Sequence, residues 1–205
     1  MRARLRSWRA VTGDSRGYSF VELLFVLGTV ATLSSVAVPQ VLTGLDDFRT
    51  AGAARHISAR LQRARMDAVL RSADVGLQVT STSGGYSYAV YVDGNRNGVR
   101  AADIQAGTDR RLVPPERLPD QYSGVEFGAI AGLPAVDSGG TPPGTDPIRL
   151  GSGNTATFAA SGTSSSGSLY IRGRRNAQYV VRIYGQTGKT RILKFDARSR
   201  QWKGL

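Results

Sequence analysis

The sequence predicts an α+β protein: one long amino-terminal helix packed on a β-rich carboxy-terminal head. Three observations predict it. Residues 18–38, YSFVELLFVLGTVATLSSVAV, are a 21-residue apolar run, the length a helix needs to cross a bilayer. Beyond it Val41, Leu45 and Phe48, then Ile57, Leu61, Ala64 and Ala68, recur at spacings of three and four, the stripe of an amphipathic helix. From Val75 onward the apolar period drops to two, which is the period of a strand.

Composition narrows the function classes. The 205 residues contain no cysteine and one histidine, His56. Disulfide frameworks, thiolate metal sites and thiol nucleophiles are therefore excluded, and a His-cluster metal site is too. His56 lies among alanines and arginines and reads as a packing or solvated residue. The net charge is +12, and it is unevenly placed: residues 1–17 carry +4, residues 18–171 carry −1, and residues 172–205 carry +9. The bulk is near neutral, so any attraction to polyanions belongs to the two ends.

The first element is the apolar run, and Glu22 interrupts its chemistry. An ionisable group in hydrocarbon costs a few kcal/mol by insertion scales and points to function. Its natural partner is an α-amino group, available beside it only if the chain is cut after Gly17. Two other readings exist. A Sec signal peptide would use the early arginines as n-region and Ser35-Val36-Ala37 as cleavage site, but it would carry Glu22 in its h-region and discard a helical pattern that continues. A plain single-pass anchor would leave Glu22 unexplained. A twin-arginine signal lacks its pair, since Arg16 has no adjacent arginine.

The stretch RGYSFVELLFVL, with Gly17 before Tyr18 and Glu22 five residues after the glycine, resembles the prepilin class III signal of type IV pilins and type II secretion pseudopilins. The resemblance implies a leader, residues 1–17, cleaved by a prepilin peptidase, then N-methylation of Tyr18. It implies a single-pass subunit of the bacterial inner membrane, head in the periplasm, that is later extruded into a filament. Glu22 would pair with the methylated amine of Tyr18 on its own or a neighbouring subunit, and Pro39 resembles the helix-kinking proline frequent in such subunits. On this reading residues 18–72 are the helix, with 18–38 its transmembrane and filament-core half, and residues 73–205 are the head of a type IV pilin-like fold. A second segment, LQRARMDAVLRSADVGLQV at 61–79, resembles the helix end and first strand of minor pseudopilins of the GspH/FimT type. Small residues that let a sheet approach the helix explain the same run.

In the head, VGLQVT, YSYAVYV, GVEFGAI, SLYIRG, QYVVRIYG and RILKFD are expected strands, divided by Gly, Pro, Ser and Asn clusters. Residues 131–153 and 159–168 are expected to be mobile loops.

Five segments carry residue types that suggest chemistry. DGNRNG, residues 93–98, opens like a calcium loop with Asp93, Asn95 and Asn97 as alternate oxygen ligands. Position 104 is isoleucine where the bidentate glutamate belongs, and the same residues suit a hairpin turn. GSGNTA at 151–156 lacks the helix and acidic residue a dinucleotide fingerprint requires. GTSSSG at 162–167 lacks the flanking glycines of a nucleophile elbow. RGRR, with Arg172, Arg174 and Arg175, and GKTR, with Gly188, Lys189 and Arg191, place cations at strand ends where phosphates can reach them. GKTR resembles the GRxR element of DNA-binding minor pilins of the FimT type, with Lys189 in place of an arginine. That exchange loses bidentate phosphate recognition, and a solvated face or a surface for acidic partner subunits explains the same charges.

The expected role is structural and not enzymatic: a minor pseudopilin or minor pilin without a cofactor. The resemblance places it in a tip complex that primes assembly and engages secreted substrate or partner pilins. The alternative is a DNA-binding minor pilin acting in DNA uptake.

Overall fold

The protein is described over residues 17–205 from a computed structural model; the leader expected at 1–17 lies, except for Gly17, outside the described residues. The chain divides into an amino-terminal unit ending at Val41 and a second unit, Leu42–Leu205. One helix, α1, Phe20–Arg71, runs from the first into the second and includes Pro39.

In the first unit every described side chain is exposed. The hydroxyls of the apolar run turn back on the helix: Thr29 donates to the Val26 carbonyl at 2.8 Å, Thr32 to Gly28 at 2.8 Å and Ser35 to Thr32 at 2.7 Å. These three hydroxyls are thereby satisfied without water, as suits a lipid-facing segment.

In the second unit α1 buries Asp46, Thr50, Ala51, Ala53, Ala54, Ile57, Leu61, Ala64 and Ala68. The small residues let strands lie close, and Gly52 leaves room for the Tyr122 ring, whose Cε1 would stand 3.0 Å from an added Cβ. Burying Ile57 and Leu61 fully stabilises the fold by about 1.5–3 kcal/mol each.

The strands are β1 (Val75–Thr82), β2 (Gly85–Val92), β3 (Arg110–Glu116), β4 (Glu126–Phe127), β5 (Ile148–Arg149), β6 (Thr155–Phe158), β7 (Gly167–Arg172), β8 (Gln178–Tyr184), β9 (Lys189–Asp196) and β10 (Gln201–Gly204), with short helices α2 (Ala101–Ala106) and α3 (Leu118–Gln121). They form two antiparallel sheets, β3-β2-β1-β6 and β10-β9-β8-β7-β4. Strand β5 also pairs with β7, placing Ile148 opposite Leu169. Leu77, Val79 and Val90 of the first sheet and Leu169, Ile171, Tyr179, Val181 and Ile183 of the second join the buried face of α1 in one core.

The alternation along β7 and β8 gives the second sheet another buried face. Tyr170, Val180 and Leu193 point away from that core and pack with Leu133, Phe195 and Trp202. Residues 128–136 cover this face and are held there. Gln178 Nε2 lies 3.1 Å from each of the carbonyls of Gly128, Ile171 and Tyr179, its Oε1 accepts from the Ile130 N–H, and Trp202 Nε1 donates to Pro134.

This differs from the mobile loop expected over 131–153, part of which is strand β5 and part a packed cover. The serine-rich loop at 159–168 is also tied down. Its Ser164 N–H donates to Gly185, Ser165 N–H to Thr157, and Arg65 Nε on the helix to Gly162.

Candidate assembly helix and basic turns

Gly17, Tyr18 and Ser19 precede the helix, which takes up its bonding where the Leu23 N–H donates to the Ser19 carbonyl at 3.1 Å. Glu22 falls in the first turn, where the unpaired N–H groups of a helix favour a negative charge. The helix from Phe20 is long and apolar enough to cross a membrane. Phe20, Val21, Phe25 and Leu33 are each more than 70% exposed, an apolar surface that calls for lipid or other helices as cover.

Two aspartates just beyond the run tie the helix to the second sheet. Asp46 Oδ2 accepts the backbone N–H of Arg175 at 2.8 Å, while its carbonyl accepts the Thr50 hydroxyl. Asp47 Oδ1 accepts from Tyr179 Oη at 2.9 Å, and Lys194 pairs with the same carboxylate at 2.7 Å. Burial, then the Asp47 carboxylate, pushes the Tyr179 phenol above its ordinary range and keeps it neutral. The sequence reading missed both aspartates. The sign of their role was Gly173 between two arginines: a Cβ there would lie 2.4 Å from Thr50 Oγ1 and 2.6 Å from Asp46 Oδ2.

The two basic motifs occupy opposite ends of β8. RGRR runs from the end of β7 into the turn before β8, closed by the Gly173 N–H to the Ala177 carbonyl, with Asn176 at φ +64. Here Arg172 is paired with Glu126 at 2.5 Å, while Arg174 and Arg175 are exposed and hold no ion pair among the described residues. GKTR opens β9 at the other end. Gly188 sits at φ +61, and a Cβ on it would lie 2.5 Å from the Gly162 carbonyl. Thr190 is anchored to the helix through Ser58 and Gln62, leaving Lys189 and Arg191 exposed. Seven residues of β8 separate the two turns, about 23 Å at strand rise, so no compact anion touches both motifs.

The DGNRNG segment is built as a backbone-capped turn. Asp93 Oδ1 accepts the N–H groups of Asn95 and Arg96, and Oδ2 that of Gly98. Asp109 accepts those of Gly94 and Arg100. Burial opposes ionisation of Asp93, but these amide donors outweigh it and hold its carboxyl below the usual range. Asn95 Oδ1 accepts the Asn97 N–H at 3.3 Å.

His56 belongs to a partly buried network that the sequence did not announce. Tyr88 Oη donates to Glu116 Oε2 at 2.9 Å and Arg60 binds Glu116 Oε1. With the Tyr88 proton spent on Glu116, its oxygen accepts from His56 Nε2 at 3.1 Å. Burial alone would raise Glu116, but the bonds from Tyr88 and Arg60 prevail and lower it. Burial, then Glu116, raises Tyr88.

A family sequence model described as "Type II transport protein GspH" matches residues 53–187, from the buried face of α1 through β8 to the turn after it. The chain belongs to the GspH family. A curated relative, the pilin-like protein PilA1 of Thermus thermophilus, is 40% identical over 82 residues, which is 40% of this chain and 51% of that protein. The chain thus spans about half the length of the curated relative it matches. No solved structure matches. The GspH match includes the helix face that carries both sheets and the RGRR turn, and stops one residue before Gly188. The long amino-terminal apolar helix followed by antiparallel sheets is the α+β pilin-like layout that the sequence predicted.

Proposed function

We propose that this protein is a minor pseudopilin or minor pilin, a structural subunit and not an enzyme. It is made as a bacterial inner-membrane precursor with its head in the periplasm, and other pilins or pseudopilins are its partners. The observation that carries the reading is the exposed apolar helix with Glu22 in its first turn, joined to a head of the GspH family. Prepilin peptidase would cut after Gly17, and the methylated amine of Tyr18 would neutralise a Glu22 carboxylate within the bundle of helices. An unpaired charge in that environment is strongly penalised, so pairing sets axial register. The tip complex, where filament assembly is primed and substrate is engaged, is the position proposed for it.

The test is the mature amino terminus. Mass spectrometry of the subunit from its host should find a chain beginning at methyl-Tyr18, and Glu22→Ala should abolish its incorporation while leaving the precursor in the membrane. A chain still carrying residues 1–17 in the filament, or unaffected incorporation of the variant, overturns the reading.

A DNA-binding role is the second reading, favoured by exposed Lys189 and Arg191 at the start of β9. A gel shift at low ionic strength tests it, because phosphate contacts are strongest there. No shift under those conditions excludes it.

A further inference from the structure

The cleft between α1 and the β7–β8 turn is lined by Leu42, Leu45, Asp46, Arg49, Ser123, Arg174 and Arg175. Arg49, Arg174 and Arg175 are exposed and without an ion pair among the described residues. The acids nearest in sequence on α1 are already engaged. The Asp46 carboxylate is buried and accepts the Arg175 N–H, and Asp47 is held by Tyr179 and Lys194. The cleft therefore presents three guanidinium groups beside two leucines that are 40% and 43% exposed. That combination suits a phosphodiester headgroup with the start of an acyl chain below it, since guanidinium forks bind phosphate oxygens in pairs.

Its place in the chain fixes where the headgroup comes from. Arg49 follows the last residue of the apolar run by eleven positions. A continuous helix would put it about 17 Å beyond the run, while Leu42 and Leu45 of the same cleft would stand only about 6 and 11 Å beyond it, next to the headgroup layer. The opposite turn, with Lys189 and Arg191, lies about 23 Å further along β8. Anionic lipid attracts basic groups near its surface and loses its hold within a Debye length.

We infer that Arg49, Arg174 and Arg175 form a lipid-headgroup site that seats the membrane-anchored subunit on anionic phospholipid before assembly. The inference rests on the proposed membrane anchoring. It makes the resting subunit sensitive to lipid charge and implies that entry into the filament must release these contacts.

The test uses the full chain in lipid nanodiscs. Because the protein has no cysteine, a single one introduced as Asp120→Cys, at an exposed position outside the cleft lining, can carry a donor dye, with the acceptor on lipid headgroups and Gln186→Cys as the label site at the far end. Discs of phosphatidylcholine with added phosphatidylglycerol should bring position 120 nearer the lipid than discs of phosphatidylcholine alone. About 1 M salt, where the Debye length is about 3 Å, should abolish the difference. Arg174→Glu with Arg175→Glu should abolish it, and Arg49→Gln should reduce it. Arg198→Glu with Arg200→Glu, matched in charge but outside the cleft, should leave it intact. Equal transfer in both kinds of disc, or an effect shared by the control pair, overturns the headgroup site while leaving membrane anchoring standing. Failure of the chain to enter either disc overturns anchoring and the site together.

Discussion

Asp46 on the long helix and Arg175 in the β7–β8 turn are joined by a 2.8 Å hydrogen bond from a backbone N–H to a buried carboxylate, across 129 residues of sequence. The bond uses the main chain of Arg175, so it leaves the guanidinium free while fixing the turn against the helix. Gly173 makes the approach feasible. Gly173→Ala should cost about 1–3 kcal/mol through overpacking, lowering the melting temperature by about 2–4 °C per kcal/mol for a protein of this size. Asp46→Ala should cost a similar amount by orphaning the N–H. Asp46→Asn retains an acceptor and should cost less. Thermal unfolding of the three variants checks the order.

The Glu116 network should shape the acid limb of stability. Its folded-state carboxyl is lowered by Tyr88 and Arg60 against the opposing effect of burial. The stabilisation is therefore complete above the ordinary glutamate pKa of about 4.3 and is lost as pH falls through the lower folded value. Tyr88 is raised, so its contribution is complete below about pH 10 and fades as pH rises beyond that. Glu116→Gln should flatten the acid side of a stability-pH curve, and Tyr88→Phe the alkaline side. Denaturant unfolding across pH reads both slopes.

Legibility in the sequence followed burial and strand position. The interior strands β1, β2, β7, β8 and β9 alternate or run apolar, and each was readable within about two residues. The strands the sequence concealed, β3, β5, β6 and β10, all lie at sheet edges or pair over two residues. Strand β3 carries Pro114 and Pro115, which are tolerated at an edge and argue against a central strand. The basic turns were visible as motifs, but their separation along β8 depends on register. Asp46 and Asp47 were hidden because their partners lie far away in sequence, beyond the reach of any local pattern.

That separation has its own consequence. Lys189 lies opposite Tyr184 and Arg191 opposite Arg182, six and four residues along β8 from Gln178, which puts them about 20 and 13 Å from the start of the strand that follows Arg174 and Arg175, beyond the Debye length of about 8 Å at physiological salt. Neutralising each pair with glutamine should lower the salt concentration that elutes the protein from heparin, and the quadruple variant should shift by the sum. A shift much larger than the sum would mean one shared polyanion site.

The Asp93 turn yields a prediction about calcium. Three amide N–H groups already occupy its carboxylate, and two occupy that of Asp109. A cation would have to displace these donors, which are charge-assisted and shielded. Millimolar calcium should leave the melting temperature unchanged, whereas Asp93→Ala should lower it. A calcium-dependent rise in the wild type, lost in the variant, would restore the metal reading.

Gln178 is the pin of the second core. Its side chain is 1% exposed and serves Gly128, Ile130, Ile171 and Tyr179. Gln178→Leu keeps the volume but removes the bonds that hold residues 128–136 over Tyr170 and Trp202. The buried groups left behind cost about 1–3 kcal/mol each when unsatisfied, so the segment should detach before the sheet unfolds. Hydrogen exchange should accelerate at 128–136 and stay slow in β8, because β8 keeps its pairing with β7 and β9. Trp202 should lose its bond to Pro134 and become more quenchable by iodide. Uniform acceleration across both sheets would instead make Gln178 a support of the whole head, with no separate role for the cover.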